Sequence, residues 1–181
     1  STSRSGGIDI LGPADETSAA GQVVIEANAD LKEIKKLYEE NEGKRGELKK
    51  ALEANDAESV KKIADDVVYI INDGFDHGNA AVEKISKAED MNVNPDYKEY
   101  LRLKEEALKK QMAAFEEYRR AAMSLRDNYD PKNAQLRDKV KNEFKDRSEN
   151  YAKIMEAARE LSNQANEIAK DAQRKQTLTQ K

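Results

Sequence analysis

The chain has one histidine, His77, and no cysteine, so its side chains support few kinds of chemistry. A di-iron helical bundle needs a histidine on each of two helices, and bis-histidine haem ligation also needs two. Without cysteine there is no thiolate catalysis and no zinc–thiolate or iron–sulfur site. A serine triad would need a distant serine, and no Gly-x-Ser-x-Gly elbow is present. We therefore expect no metal and no cofactor, and we interpret His77 as a structural residue.

The segment around His77, residues 73–78 (DGFDHG), has the composition of a calcium loop. It lacks the alternating oxygen ligands and the terminal glutamate of an EF-hand. Gly74 and Gly78 are four residues apart and lie on one face of a helix, which predicts the close approach of a neighbouring helix or side chain. The alternative is a kink or a small cavity that admits a ligand at mid-bundle.

Two polar residues outside this segment, Gln111 and Arg147, lie on otherwise apolar helix stripes. Counting residues from the turns near 55, 93 and 130 places His77, Gln111 and Arg147 at about one height. A functional interpretation makes these three, with Gly74 and Gly78, an internal anion or ligand site. The structural interpretation, which we favour, is that isolated polar residues set helix register.

The same counting places Arg45 near Asp66. These two residues are therefore predicted to form a buried ion pair between the first two helices.

No catalytic residues can be selected from the acidic side chains. The 36 Asp and Glu residues offer many accidental pairs for acid–base chemistry, and no pattern favours one pair, so we predict that the protein is not an enzyme.

Tyrosine (7) outnumbers phenylalanine (3). Tyr38, Tyr118 and Tyr151 fall on apolar stripes, where the ring fills space and the hydroxyl reaches a polar partner or water. A groove lined by tyrosine is the functional alternative to ordinary packing.

Four amphipathic stretches must position these residues, at about 17–54, 57–90, 95–128 and 131–173. Apolar residues recur in each at helical spacing. Asn55 and Asp56 predict the first break, by a left-handed residue followed by a helix cap. Asn94-Pro95 predicts a capped helix start, and Asp130-Pro131 has the same form. Gly43 and Gly46 weaken the first stretch, but its apolar phase continues past them and favours an unbroken helix.

Short connections make consecutive helices antiparallel, so the chain predicts an all-α, up-down-up-down four-helix bundle over 17–173. A spectrin-like arrangement or two loosely coupled hairpins are the alternatives. Residues 1–16 are predicted to form a flexible leader because they are rich in serine and glycine and lack a helical period. Residues 174–181 are predicted to fray.

Composition excludes two classes of partner. Charged residues are 38% of the chain, but their signs alternate and the net charge is −4, so there is no clustered basic surface for nucleic acid. No run of about 18 apolar residues exists that would span a membrane.

The serine- and glycine-rich start, STSRSGGIDILGPAD, resembles the N-terminal segment of mature bacterial lipoproteins. That resemblance implies an acylated cysteine preceding Ser1, a lipid tether, and an extracytoplasmic location, either periplasmic or tethered to the outer membrane.

The leading hypothesis is a non-enzymatic interaction or scaffold protein that binds a protein partner. The alternative is a bundle that senses or binds a small molecule or anion near His77. Neither the partner nor the oligomeric state follows from the sequence.

Overall fold

The computed structural model describes residues 15–179, apart from the side chains of residues 176, 177 and 179. Within that range the protein is an all-α, antiparallel four-helix bundle without strands, which confirms the predicted fold class. The predicted leader lies outside the described residues except for Asp15 and Glu16. The helices are α1 Thr17–Glu53, α2 Ala57–Glu89, α3 Pro95–Asn128 and α4 Ala134–Thr179.

The first two connections have the chemistry that their residues predict. Asn55 has φ 52°, the left-handed conformation that asparagine tolerates after a helix. Asp56 then caps α2 by accepting a hydrogen bond from the Ser59 amide at 3.2 Å. Asn94 caps α3 by accepting from the Tyr97 amide at 2.8 Å, and Pro95 is the first helical residue. These caps are local, so they can be predicted without tertiary contacts.

The start of α1 is tied to the connection between α2 and α3. The Glu16 amide donates to the Asn92 carbonyl at 2.7 Å, and the Asn92 amide donates to the Glu16 carboxylate at 2.7 Å. The Asn94 amide donates to the Thr17 hydroxyl at 3.1 Å. These bonds fix the end of the bundle at which α1 begins.

The third connection differs from its prediction. Helix α4 begins at Ala134 rather than at residue 131, because Asp130 accepts a hydrogen bond from the Lys132 amide at 2.9 Å and holds a turn there. Asn133 is the cap, accepting from the Leu136 amide at 3.1 Å. The helix also continues past residue 173 to Thr179, supported by an ion pair between Arg174 and Asp171 at 3.5 Å.

Helix α1 is unbroken through Gly43 and Gly46, as its apolar phase predicts. A Cβ atom at either glycine would meet nothing within 4 Å, so both face open space. These glycines therefore do not serve a close helix contact.

The core consists of two apolar clusters, one toward each end of the bundle. The first is built around Leu48, Val60, Tyr118, Leu125 and Tyr151, and the second around Val24, Ile34, Ile85, Leu101 and Leu108. Between them, at the level of Leu37 and Gly74, lies a cavity of about 20 Å³.

Backbone contacts are extensive between α1 and α2, between α2 and α3, and between α3 and α4. Along their described lengths α1 and α4 do not pack closely on each other. A groove therefore runs along the bundle with α1 and α4 as its walls and α3 as its floor.

Candidate interaction groove

The groove between α1 and α4 can be followed along most of the bundle. At one end it has a volume of about 810 Å³, with Leu52 on the α1 wall, Phe144 on the α4 wall and Tyr118 on the floor. It continues past Tyr38 and Ala158 at mid-length. At the other end Ile25, which is 60% exposed, contributes an apolar side chain. The groove is thus an open surface with apolar walls, and the Tyr118 ring on its floor is buried.

Arg45 lies in the wider end of the groove, against two tyrosine rings. Its guanidinium carbon is 4.8 Å from the centre of the Tyr151 ring and 5.4 Å from that of Tyr118, within range of cation–π attraction. Its Nη1 atom donates to both carboxylate oxygens of Glu42, at 2.9 and 3.1 Å. Burial alone would lower the pKa of Arg45, but the bond to Glu42 raises it above its ordinary value. Arg45 therefore stays charged and holds the two rings in place.

A chain of aromatic contacts links the walls to the floor. Phe115 meets Tyr38 at 6.2 Å and Tyr151 at 5.5 Å between ring centres, in edge-on arrangements. Tyr118 lies 5.2 Å from Tyr151 and 5.6 Å from Phe144. Such pairs contribute about 0.5–1.5 kcal/mol each beyond their buried area. They fix the position of the Tyr118 hydroxyl at the base of the groove.

Two hydroxyl groups in this end of the groove have no hydrogen-bond partner among the described residues. Tyr118 is fully buried and its Oη atom is unpaired, as is the buried Oγ atom of Ser148 on α4. Both residues line the groove. The Tyr151 hydroxyl is different, because it donates to Glu42 at 3.3 Å. Burial raises the pKa of the Tyr118 hydroxyl well above its usual range, so it keeps its proton and needs an acceptor.

Lysines stand on both walls of this end of the groove. Lys49 on α1 and Lys145 on α4 line the groove, and no described carboxylate forms an ion pair with either. Lys141 is engaged, since its ammonium donates to the Asn55 side-chain oxygen at 2.5 Å. The acidic residues here are Glu42, which Arg45 holds, Glu53 and Glu149. The four basic residues thus outnumber the three acidic ones in a chain whose overall charge is −4.

The structure places His77 outside this groove, at the interface between α1 and α2. Its Nδ1 atom is 3.1 Å from Oδ1 of Asp30, and Lys84 donates to the other oxygen of Asp30 at 2.7 Å. The bond from Lys84, and next the bond from His77, lower the pKa of Asp30 below its ordinary value. This arrangement joins α1 and α2 through the side chains of His77, Asp30 and Lys84.

The two glycines near His77 serve different surroundings. A Cβ atom at Gly78 would lie 2.9 Å from the sulfur of Met112, so glycine allows α3 to approach closely there. Gly74 and Gln111 line the cavity of about 20 Å³ between the two core clusters. That volume holds roughly one water molecule.

Arg147 lies at a third location, on the face between α3 and α4. It donates to Glu117 at 3.0 Å and to Glu143 at 3.2 Å. His77 and Arg147, which turn counting placed at one height with Gln111, thus have separate partners, and Gln111 lines the central cavity. Equal height does not fix the side of the helix on which each residue lies.

The predicted ion pair between Arg45 and Asp66 is replaced by two others. Arg45 turns into the groove and pairs with Glu42, one turn earlier in its own helix. Asp66 pairs with Lys44 at 3.4 Å. Because residues 44 and 45 are about 100° apart around the helix axis, the neighbour of Arg45 reaches α2 in its place.

Sequence reasoning missed Glu42 and Ser148 as members of this site. The available signal was Arg45, a charged residue on the same apolar stripe of α1 as Tyr38. Its position marks the face of α1 that meets the tyrosines. The convergence of α1, α3 and α4 on that face is tertiary information, and no local pattern carries it.

Residues 15–179 contain no cluster of three or more side chains suited to hold a metal ion. None of the described helices is both long and apolar enough to cross a membrane. No protein-family model, curated protein sequence or solved structure matches the chain.

Proposed function

We propose that this protein is a non-enzymatic interaction or scaffold module, and that its groove between α1 and α4 binds a helix of a protein partner. The observation that carries the proposal is the open, apolar-floored groove along α3. An α-helix with its side chains is about 10 Å across, and binding an amphipathic helix in an apolar groove is a common recognition mode.

The chemistry of the walls supports a protein partner. Charged residues of both signs border an apolar surface formed by Leu52 and Phe144 on the walls and Tyr118 on the floor. This is the arrangement of an interface, with an apolar centre and a polar rim. Tyrosine and arginine, which are enriched where binding energy concentrates, lie at its base.

Site-specific photocrosslinking tests this proposal. A benzophenone side chain at Ala152, which is exposed on the α4 wall, should crosslink a defined protein in the native cells. The same group at Tyr69, which is 78% exposed on α2, should not. Gly46→Phe should abolish the Ala152 crosslink without unfolding the protein, because Gly46 faces open space in the groove. Equal crosslinking from Ala152 and Tyr69, or none from Ala152, would refute the proposal.

We also propose that the module works outside the cytoplasm, held by a lipid-modified segment upstream of Ser1. The support is the composition of residues 1–16, which is that of a tether. Mass spectrometry of the N-terminal peptide from the natural host should find an acylated cysteine, and cell fractionation should place the protein with the envelope. An unmodified cytoplasmic product would remove this part of the proposal.

The alternative, a bundle that senses a small molecule or anion near His77, is less well supported. Asp30 and Lys84 engage the region of His77, and the nearest cavity holds about one water. A thermal-shift screen with small anions and aromatic compounds should give no hit that His77→Ala removes.

A further inference from the structure

We infer that the wide end of the groove is a carboxylate-binding site, in which Tyr118 and Ser148 donate hydrogen bonds to an acidic side chain of the partner helix. This inference rests on the proposed function and names the chemistry of the partner. Its first support is that both hydroxyls are buried and lack an acceptor. A buried hydroxyl without a partner destabilises a fold, so two that line one groove indicate a missing acceptor.

The second support is the charge around the hydroxyls. The guanidinium of Arg45 has donors but no acceptor atom. It can therefore donate to the Tyr118 hydroxyl but cannot accept the phenol proton, which stays unused. Lys49 and Lys145 line the same end of the groove on opposite walls, and no described carboxylate forms an ion pair with either. A carboxylate satisfies two O–H donors and two ammonium groups together, whereas a neutral amide or a cation does not.

The third support is the apolar surface beside the hydroxyls. Leu52, Phe144 and Ala152 line the same volume of about 810 Å³. The occupant therefore joins its carboxylate to apolar neighbours, as a glutamate or aspartate on the apolar face of a helix does. Arg45 is a positioning residue in this site, because Glu42 already takes its hydrogen bonds.

Stability measurements without any ligand make the first test. Tyr118→Phe and Ser148→Ala should keep or raise the midpoint of thermal unfolding, because each removes a buried group with no partner. Tyr151→Phe is the matched control and should lower the midpoint, because the Tyr151 hydroxyl donates to Glu42. If Tyr118→Phe destabilises the protein as much as Tyr151→Phe does, the hydroxyl has an internal partner and the inference fails.

Binding of a minimal probe makes the second test. Octanoate supplies a carboxylate on an apolar chain, and octan-1-ol has the same chain without the charge. Calorimetric titration should show octanoate binding to the wild-type protein and at least a roughly tenfold weaker affinity for the Tyr118→Phe/Ser148→Ala double variant. Octan-1-ol should not distinguish the two proteins. No binding of octanoate, or equal binding to both proteins, would overturn the inference.

The photocrosslink at Ala152 separates this inference from the proposed function. If the crosslink to a protein persists undiminished in the double variant, the groove binds a partner but not through these hydroxyls. If octanoate binds as expected and Ala152 crosslinks no protein, the carboxylate belongs to a free ligand, and the acidic side chain of a partner is excluded as its source.

Discussion

Asn41 is the clearest conflict between a side chain and its surroundings. It is fully buried in α1, and neither the nitrogen nor the oxygen of its amide has a hydrogen-bond partner among the described residues. Asn41→Leu should therefore raise the free energy of unfolding by about 1–2 kcal/mol, measured by urea denaturation. Asn28→Leu, at an exposed position of the same helix, should give no such gain. A loss of stability in Asn41→Leu would show that the amide is satisfied.

A carboxyl pair between α2 and α3 predicts that the stability of the protein depends on pH. A hydrogen bond with Glu105 raises the pKa of Glu89 from 4.5 to about 7, while the pKa of Glu105 is lowered. Between those values the folded protein holds a proton that the unfolded chain releases, so stability should fall as pH rises from about 4.5 to about 7.

The Glu89→Gln variant tests this dependence. Glutamine still donates to Glu105 but does not titrate, so the decline in thermal midpoint across this range should flatten. Glu83→Gln, at an exposed position of α2, should keep the wild-type slope. An unchanged slope in Glu89→Gln would assign the dependence to another group.

For single residues, the sequence predicts the position along a helix better than it predicts the contact partner. The sequence does not show that His77 contacts Asp30, because that contact depends on the rotation of α1 against α2. Arg45 was expected to reach Asp66, and instead it turns toward Tyr151. Counting residues from a turn gives the height of a residue along the helix axis. Identifying its contact partner also requires the angle of the residue around that axis.

Among the helices, the glycines separate structural need from helix propensity. Gly43→Ala and Gly46→Ala should each raise the free energy of unfolding by about 0.5–1 kcal/mol. Both glycines lie at interior positions of α1, away from its ends, and a Cβ atom at either would face open space. Gly78→Ala should lack this gain, because its Cβ atom would lie 2.9 Å from the Met112 sulfur. Chemical denaturation of the three single variants measures the contrast, and equal effects at all three would contradict it.

The helix boundaries show which signals are local. Asn55, Asp56 and Asn94 act through their own backbone and the next turn, so they were predictable. The start of α4 was not, because Asp130 and Asn133 both offer caps and only the turn between them decides which one begins the helix.

For the whole molecule, the number of close neighbours of each helix predicts local stability. Helix α2 packs on both α1 and α3, whereas α4 has one close neighbour, and beyond Ala165 its described side chains are exposed except for the half-buried Ile168. Hydrogen exchange should therefore be slowest in the centre of α2, near Val67, and fast after Ala165. Equal protection in both regions would mean that α4 is held along its full length.

The fold class was predictable because four periodic stripes with short connections leave few arrangements. The groove was not, because each stripe shows that a helix has an apolar face without showing how closely the first and last helices approach. Tyr118 illustrates this. Its place on a stripe predicts burial, but the unpaired hydroxyl beside Ser148 becomes visible only when α3 and α4 are brought together.

Asn55 also has a consequence for motion. Its side-chain oxygen accepts hydrogen bonds from Tyr129 at 3.1 Å and from Lys141 at 2.5 Å, so the first hairpin is latched to the second at this end of the bundle. The four helices are therefore joined by three packed interfaces and, at this end of the bundle, by the hydrogen bonds to Asn55. Because these bonds restrain α1 and α4 at this end of the bundle, we expect the two helices to separate more easily at the other end of the groove.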